Sequence, residues 1–124
     1  MINDIDPRSP IPLYEQIAAR IRAAIAAGDY DAGDALPSVR QLSAQLRVNP
    51  ATVVQAYRDL EREGFVDMRH GSGTFVRALA ETRREDERAK QARDIVRRLI
   101  AEGARLGITA AEMQQALAEE LSAV

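Results

Sequence analysis

Residues 36–76 are punctuated so closely by helix caps and turn residues that few folds can accommodate them. Ser38 and Gln41 stand at capping-box spacing, where each side chain satisfies the other's free backbone N–H. Val39, Leu42 and Leu46 follow as the buried face of a short helix. Arg47 and Val48 leave room only for a tight turn. Asn49-Pro50 is an N-cap followed by a proline at the first helical position, where its missing N–H costs nothing. The next helix is predicted from Pro50 to about Glu63, with Val53, Ala56, Tyr57 and Leu60 turned inward. Gly64 ends it. Residues 65–69 and 74–77 are short strand-like runs, joined by the turn His70-Gly71-Ser72-Gly73.

Upstream, Leu13, Ile17, Ile21 and Ile25 recur every four residues and predict one more amphipathic helix, led by Pro12 and stopped by Gly28. Glu15, Arg20 and Arg22 lie off that stripe. Residues 1–12, with Pro7, Pro10 and Pro12, read as an extended arm, and residues 29–37 as an acidic loop. Helix, helix, turn, helix and hairpin is the order of a winged helix-turn-helix. Beyond Arg77, residues 79–104 predict a long helix, highly charged at first, with Ala92, Ile95, Val96, Leu99 and Ile100 as an apolar stripe near its end. Gly103 and Gly107 bracket a turn. Thr109 and Glu112 repeat the capping-box spacing before a short helix carrying Met113, Ala116, Leu117 and Leu121. The expected fold is mainly α with a small β-hairpin. A winged helix-turn-helix DNA-binding domain in residues 1–77 precedes a short two-helix C-terminal dimerisation module in residues 78–124.

Composition removes several kinds of function. With no cysteine and one histidine, His70, disulfides, thiolate metal sites and His-rich metal sites are excluded, and no cofactor is implied. No apolar run approaches the roughly 18 residues of a membrane span, and residues 1–10 lack the pattern of a signal peptide, so a cytoplasmic protein is expected. No Ser-His-acid set exists, and Glu85, Asp86 and Glu87 read as a solvated charge run rather than a catalytic pair, which argues against an enzyme. The net charge of −2 is unremarkable, but its distribution is uneven. Residues 35–58 carry Arg40, Arg47 and Arg58 with no acid, and residues 68–80 carry Arg69, His70 and Arg77 with none. Two locally positive surfaces on a near-neutral body suit a reader of DNA.

The second helix of a helix-turn-helix enters the major groove and meets base edges with its first turn. Here that turn is Asn49, Pro50, Ala51 and Thr52, with Gln55 one turn later. Asn and Gln can pair with adenine, and Thr can donate to a base or touch a thymine methyl. Arg40, at the start of the supporting helix, can reach a phosphate or a base, and Arg69 and His70 sit at the wing tip. Each has a plainer alternative: Asn49 as a cap only, Thr52 as filler, Arg40 in a surface salt bridge, the wing as a simple hairpin. Tyr57 reads as core with its hydroxyl toward the surface, and Met113 as core or interface. The glycine-rich turn is not a nucleotide loop, because it joins two strands instead of opening a helix.

Several linked segments resemble the GntR family of bacterial transcriptional regulators. They are Pro12-Leu13-Tyr14-Glu15-Gln16-Ile17, Leu36-Pro37-Ser38-Val39-Arg40 after Gly33, Thr52-Val53 with Ala56-Tyr57, Leu60-Glu61-Arg62-Glu63-Gly64, and Gly71-Ser72-Gly73-Thr74-Phe75-Val76. The resemblance implies operator contacts at Arg40, Asn49, Ala51, Thr52, His70 and Gly71, with Ser38 near the phosphates. Pro50 and Val54 stand where the best-known branch often carries basic residues, so base reading by those arginines does not transfer. Asn49-Pro50-Ala51-Thr52-Val53 and the short tail resemble the YtrA branch instead. Lys90, the only lysine, lacks the setting of a pyridoxal-binding domain. Ile95, Val96, Leu99, Ile100, Leu106 and Leu117 cannot all be buried by one thin helix pair, so a homodimer is expected. The implied partner is double-stranded operator DNA and the implied output repression, as in regulators of transporter operons. No effector can be read from the residues. The alternative, a winged helix used for protein contacts, would want an apolar outer face on the third helix, whereas Thr52, Gln55, Asp59 and Arg62 are polar.

Overall fold

A computed structural model describes residues 5–124; the first four residues of the expected arm lie outside it. The order of elements is α1 (Leu13–Ala27), α2 (Val39–Leu46), α3 (Pro50–Arg62), β1 (Val66–Arg69), β2 (Gly73–Val76), α4 (Glu81–Arg105) and α5 (Ala110–Ser122). The winged helix-turn-helix followed by two helices is therefore present. The chain divides into two compact units, Met1–Arg88 and Ala89–Val124.

In the first unit, Ile17, Ile21 and Ile25 of α1 meet Leu42 of α2 and Val53, Ala56, Tyr57 and Leu60 of α3 in one core. Phe65, Val66 and Val76 of the wing close it. The helix ends follow their caps. Ser38 and Gln41 form the reciprocal capping box of α2. Gly28 ends α1 in the left-handed conformation at φ +86°, which glycine adopts without steric cost. Strands β1 and β2 pair antiparallel with Val66 opposite Val76 and Arg69 opposite Gly73.

The acidic loop does more than connect. Gly33 N donates to Val76 O at 2.8 Å, Val76 N to Asp34 O at 2.8 Å, and Leu36 N to Thr74 O at 2.9 Å. Residues 33–36 thus cover the outer edge of β2, whose backbone groups would otherwise be unpaired. Nothing in the composition of that loop marks it as sheet, because its pairing depends on a hairpin some forty residues downstream.

Tyr57 is wholly buried, contrary to the expectation of a surface hydroxyl. Its Oη donates to the Pro37 carbonyl at 2.6 Å, and burial pushes the phenol well above its usual range. This bond ties α3 to the segment leading into α2. Tyr57→Phe is expected to cost about 1–3 kcal/mol, since a part-buried carbonyl loses its donor. Denaturant unfolding followed by circular dichroism checks this; a loss below about 0.5 kcal/mol would mean water replaces the hydroxyl.

The first compact unit runs past Arg77 to Arg88, within α4. The reason is a set of arginines at the start of that helix. Arg84 donates to Ile25 O at 3.0 Å and Arg88 to Ala26 O at 3.2 Å, satisfying carbonyls at the end of α1. Arg83 donates to Glu63 O and stacks over the Phe65 ring at 4.5 Å. Glu87 is not part of a solvated run. Its side chain is 12% exposed and pairs with Arg22 Nε at 3.7 Å, while Arg22 Nη1 reaches Glu63 at 3.3 Å.

In the second unit, Gly103 proves to be helical and not the start of a turn. A Cβ there would lie 2.9 Å from Met113 Sδ, so the glycine lets α5 approach α4 closely. The turn itself is at Leu106 and Gly107, with Ile108 N returning to Gly103 O at 2.8 Å. Thr109 and Glu112 form the expected capping box, and accepting the Thr109 N–H holds the Glu112 carboxyl below its usual range. The apolar residues Ile95, Val96, Leu99, Ile100, Leu106, Leu117 and Leu121 are all exposed.

Candidate nucleic-acid interface

The Asn49 side chain caps α3 with its oxygen and leaves its amide nitrogen uncommitted. Its Oδ1 accepts from Ala51 N at 2.9 Å and closes the start of α3. The two N–H bonds of its amide remain for another acceptor. Pro50 follows at the first helical position, and the first turn of α3 contains no acid, so the positive end of the helix is not neutralised locally. Ala51 is exposed and Thr52 half-buried beside it.

On α3 the buried row Val53, Ala56, Tyr57 and Leu60 fixes the opposite face. At 3.6 residues per turn that face carries Ala51, Gln55, Arg58 and Arg62, all exposed. Gln55 Nε2 donates to Asp59 Oδ1 at 3.0 Å, and Arg62 pairs with the same oxygen.

Helix α2 packs against α3. Ser38 Oγ accepts from Gln41 N at 3.0 Å and keeps its own hydrogen for donation. Arg40 is exposed, and its guanidinium has no hydrogen-bond or ion-pair partner among the described residues. Arg47 closes α2 in the left-handed region at φ +57°, the only non-glycine residue described there.

The wing turn is tight. Ser72 N donates to Arg69 O at 3.0 Å, and Gly71 at φ +76° supplies the left-handed step. His70 stands exposed at the tip. Arg69 does not simply project: its guanidinium lies 4.6 Å from the centroid of the Phe75 ring. This stacking gives a flexible cation a preferred position without neutralising it. The wing is held to α3 by Met68 N, which donates to Glu61 Oε2 at 2.6 Å.

Ser38, Arg40, Asn49, Ala51, Thr52 and Gln55 therefore belong to the adjoining helices α2 and α3, and Arg69, His70 and Gly71 to the wing. All nine lie in the unit Met1–Arg88. Arg58 escaped the sequence reading as an individual candidate, although it counted toward the basic stretch. Its signal is the helical face it shares with Gln55. Among the described residues there is no cluster of His, Cys, Asp and Glu fit to hold a metal, and no helix long and apolar enough to cross a membrane.

Residues 13–76 match the family of bacterial regulatory proteins, gntR family. The chain is 34% identical to the HTH-type transcriptional repressor YtrA of Bacillus subtilis, over 93% of this chain and 88% of that protein. Its fold is similar to that of a GntR family transcriptional regulator from Listeria monocytogenes, with a TM-score of 0.69, 31% identity, and coverage of 93% of this chain and 98% of that one. It is also similar to the DNA-binding domain of AraR solved in complex with operator ORE1, with a TM-score of 0.53 and 28% identity, over 58% of this chain and 88% of that one. With sequence likeness running through the winged helix-turn-helix and on along nearly the whole chain, this protein belongs to the GntR family, in its YtrA-like branch, and is a transcriptional regulator with a DNA-binding winged helix rather than an enzyme.

Proposed function

We propose that the protein is a cytoplasmic repressor that binds an inverted-repeat operator as a homodimer and blocks the promoter beneath it. The observation that carries this reading is the chemistry of the α2–α3 surface. Arg40 is unpaired among the described residues, and Asn49 keeps free donors at an unneutralised helix start. Such groups suit phosphates and base edges. The operator complex of the similar AraR domain supports the same docking. Arg40 and Ser38 meet phosphate or the outer base edges, Asn49, Ala51, Thr52 and Gln55 face the major groove, and Arg69, His70 and Gly71 place the wing on the adjacent backbone.

The homodimer is supported by the apolar residues of α4 and α5 left uncovered in a single chain, Leu106 at 70% exposure among them. Two-fold symmetry then presents two recognition helices to two half-sites. Control of a transporter operon rests on the likeness to YtrA-type regulators alone. Selection of bound duplexes from a random pool tests the reading. The expected product is one motif with dyad symmetry, its half-sites about one helical turn apart, roughly 10 base pairs. A motif without symmetry would remove the dimeric docking, and no enrichment at all would remove the DNA-reading surface.

A further inference from the structure

The Gln55 amide is held by a charged neighbour. Gln55 Nε2 donates to Asp59 Oδ1 at 3.0 Å, and Arg62 binds the same carboxylate. A carboxylate only accepts, so the NH₂ end of Gln55 must face Asp59 and the carbonyl end must face away. The Asp59 side chain is only 14% exposed, whereas Gln55 stands in solvent. One N–H and the carbonyl of Gln55 have no partner among the described residues, on the exposed face of α3.

That pattern is selective. Adenine offers an N6 donor and an N7 acceptor in the major groove, which one carbonyl and one N–H complete. Guanine offers two acceptors, O6 and N7, and would need both N–H groups turned toward it. Asp59 has already taken one. We propose that Asp59 is a positioning residue that locks Gln55 in the orientation reading adenine and denies it guanine, with Arg62 neutralising a carboxylate that would otherwise repel the phosphates. This rests on the DNA-binding reading above. The bond alone would not carry it, because Gln115 donates to Glu119 on α5 in the same i, i+4 relation. What sets Gln55 apart is its place one turn beyond Ala51 on the recognition helix.

The test is duplex selection with the full chain and its variants Gln55→Ala, Asp59→Ala and Asp59→Glu, read as base frequency at each half-site position. The unsubstituted chain is expected to prefer adenine over guanine roughly tenfold at one position per half-site, a preference that Gln55→Ala abolishes. Asp59→Ala is expected to bring that preference down to about twofold, leaving the other positions unchanged, and Asp59→Glu to restore it by returning the acceptor. A purely structural role for Asp59 would instead weaken all positions alike, which overturns the proposal. Full adenine preference in Asp59→Ala, or a motif with no position dependent on Gln55, also overturns it while leaving the DNA-binding reading intact. Failure of the unsubstituted chain to enrich any motif defeats both.

Discussion

Replacing Leu99 by glutamate is expected to leave the chain monomeric and to lower its affinity for a two-half-site operator by about 100-fold or more, since linked half-site binding is lost. Leu99 is 46% exposed in the single chain and stands among Ile95, Val96 and Ile100, which are exposed to a similar degree. Burying such a side chain against a partner contributes about 1.5–3 kcal/mol, and two-fold symmetry counts it in both copies. A glutamate there removes this and sets a carboxylate against apolar surface, which costs more still. Because the residue is not buried within the single chain, the fold of one chain should survive, and a circular dichroism melt establishes that. Sedimentation equilibrium and titration of a fluorescent operator give the two readouts. A dimer that persists would place the interface away from α4.

Arg40→Ala is the second change expected to act strongly. Operator affinity should fall by about 1–3 kcal/mol, or roughly 5- to 150-fold, with thermal stability nearly unchanged. Stability should hold because Arg40 is exposed and unpaired among the described residues. The salt dependence separates its two possible contacts. If the guanidinium meets a phosphate, the slope of log affinity against log salt falls by about one and all sequences are weakened alike. If it meets a base edge, the slope is kept and discrimination at one position relaxes. Affinity and salt slope both unchanged in Arg40→Ala would remove α2 from the interface.

The candidate interface was legible to the extent that its signals are local. Ser38 with Gln41, Asn49 with Pro50 and Gly64 announce helix ends through bonds spanning a few residues, and the structure has helix ends at all three. Gln55 was legible as a polar residue of the recognition helix, but not as one whose amide is oriented. That depends on which rotamers Asp59 and Arg62 share, and sequence spacing allows the pair without requiring it. Arg69 was legible as a wing cation, whereas its seat over Phe75 depends on the strand register that sets the two residues on adjoining strands.

The order of helices and hairpin, the inward rows of α1 and α3, and the absence of cysteine chemistry follow from the residues alone, because periodicity, capping and composition act over short spans. What the 33–36 segment does, where the Tyr57 hydroxyl goes, and why the first compact unit extends to Arg88 emerge in the folded chain. Those answers rest on contacts between residues far apart in the chain. Pairing of residues 33–36 with β2, the Tyr57 bond to Pro37 and the Arg84 and Arg88 bonds to α1 each exist only once the core has brought both partners together.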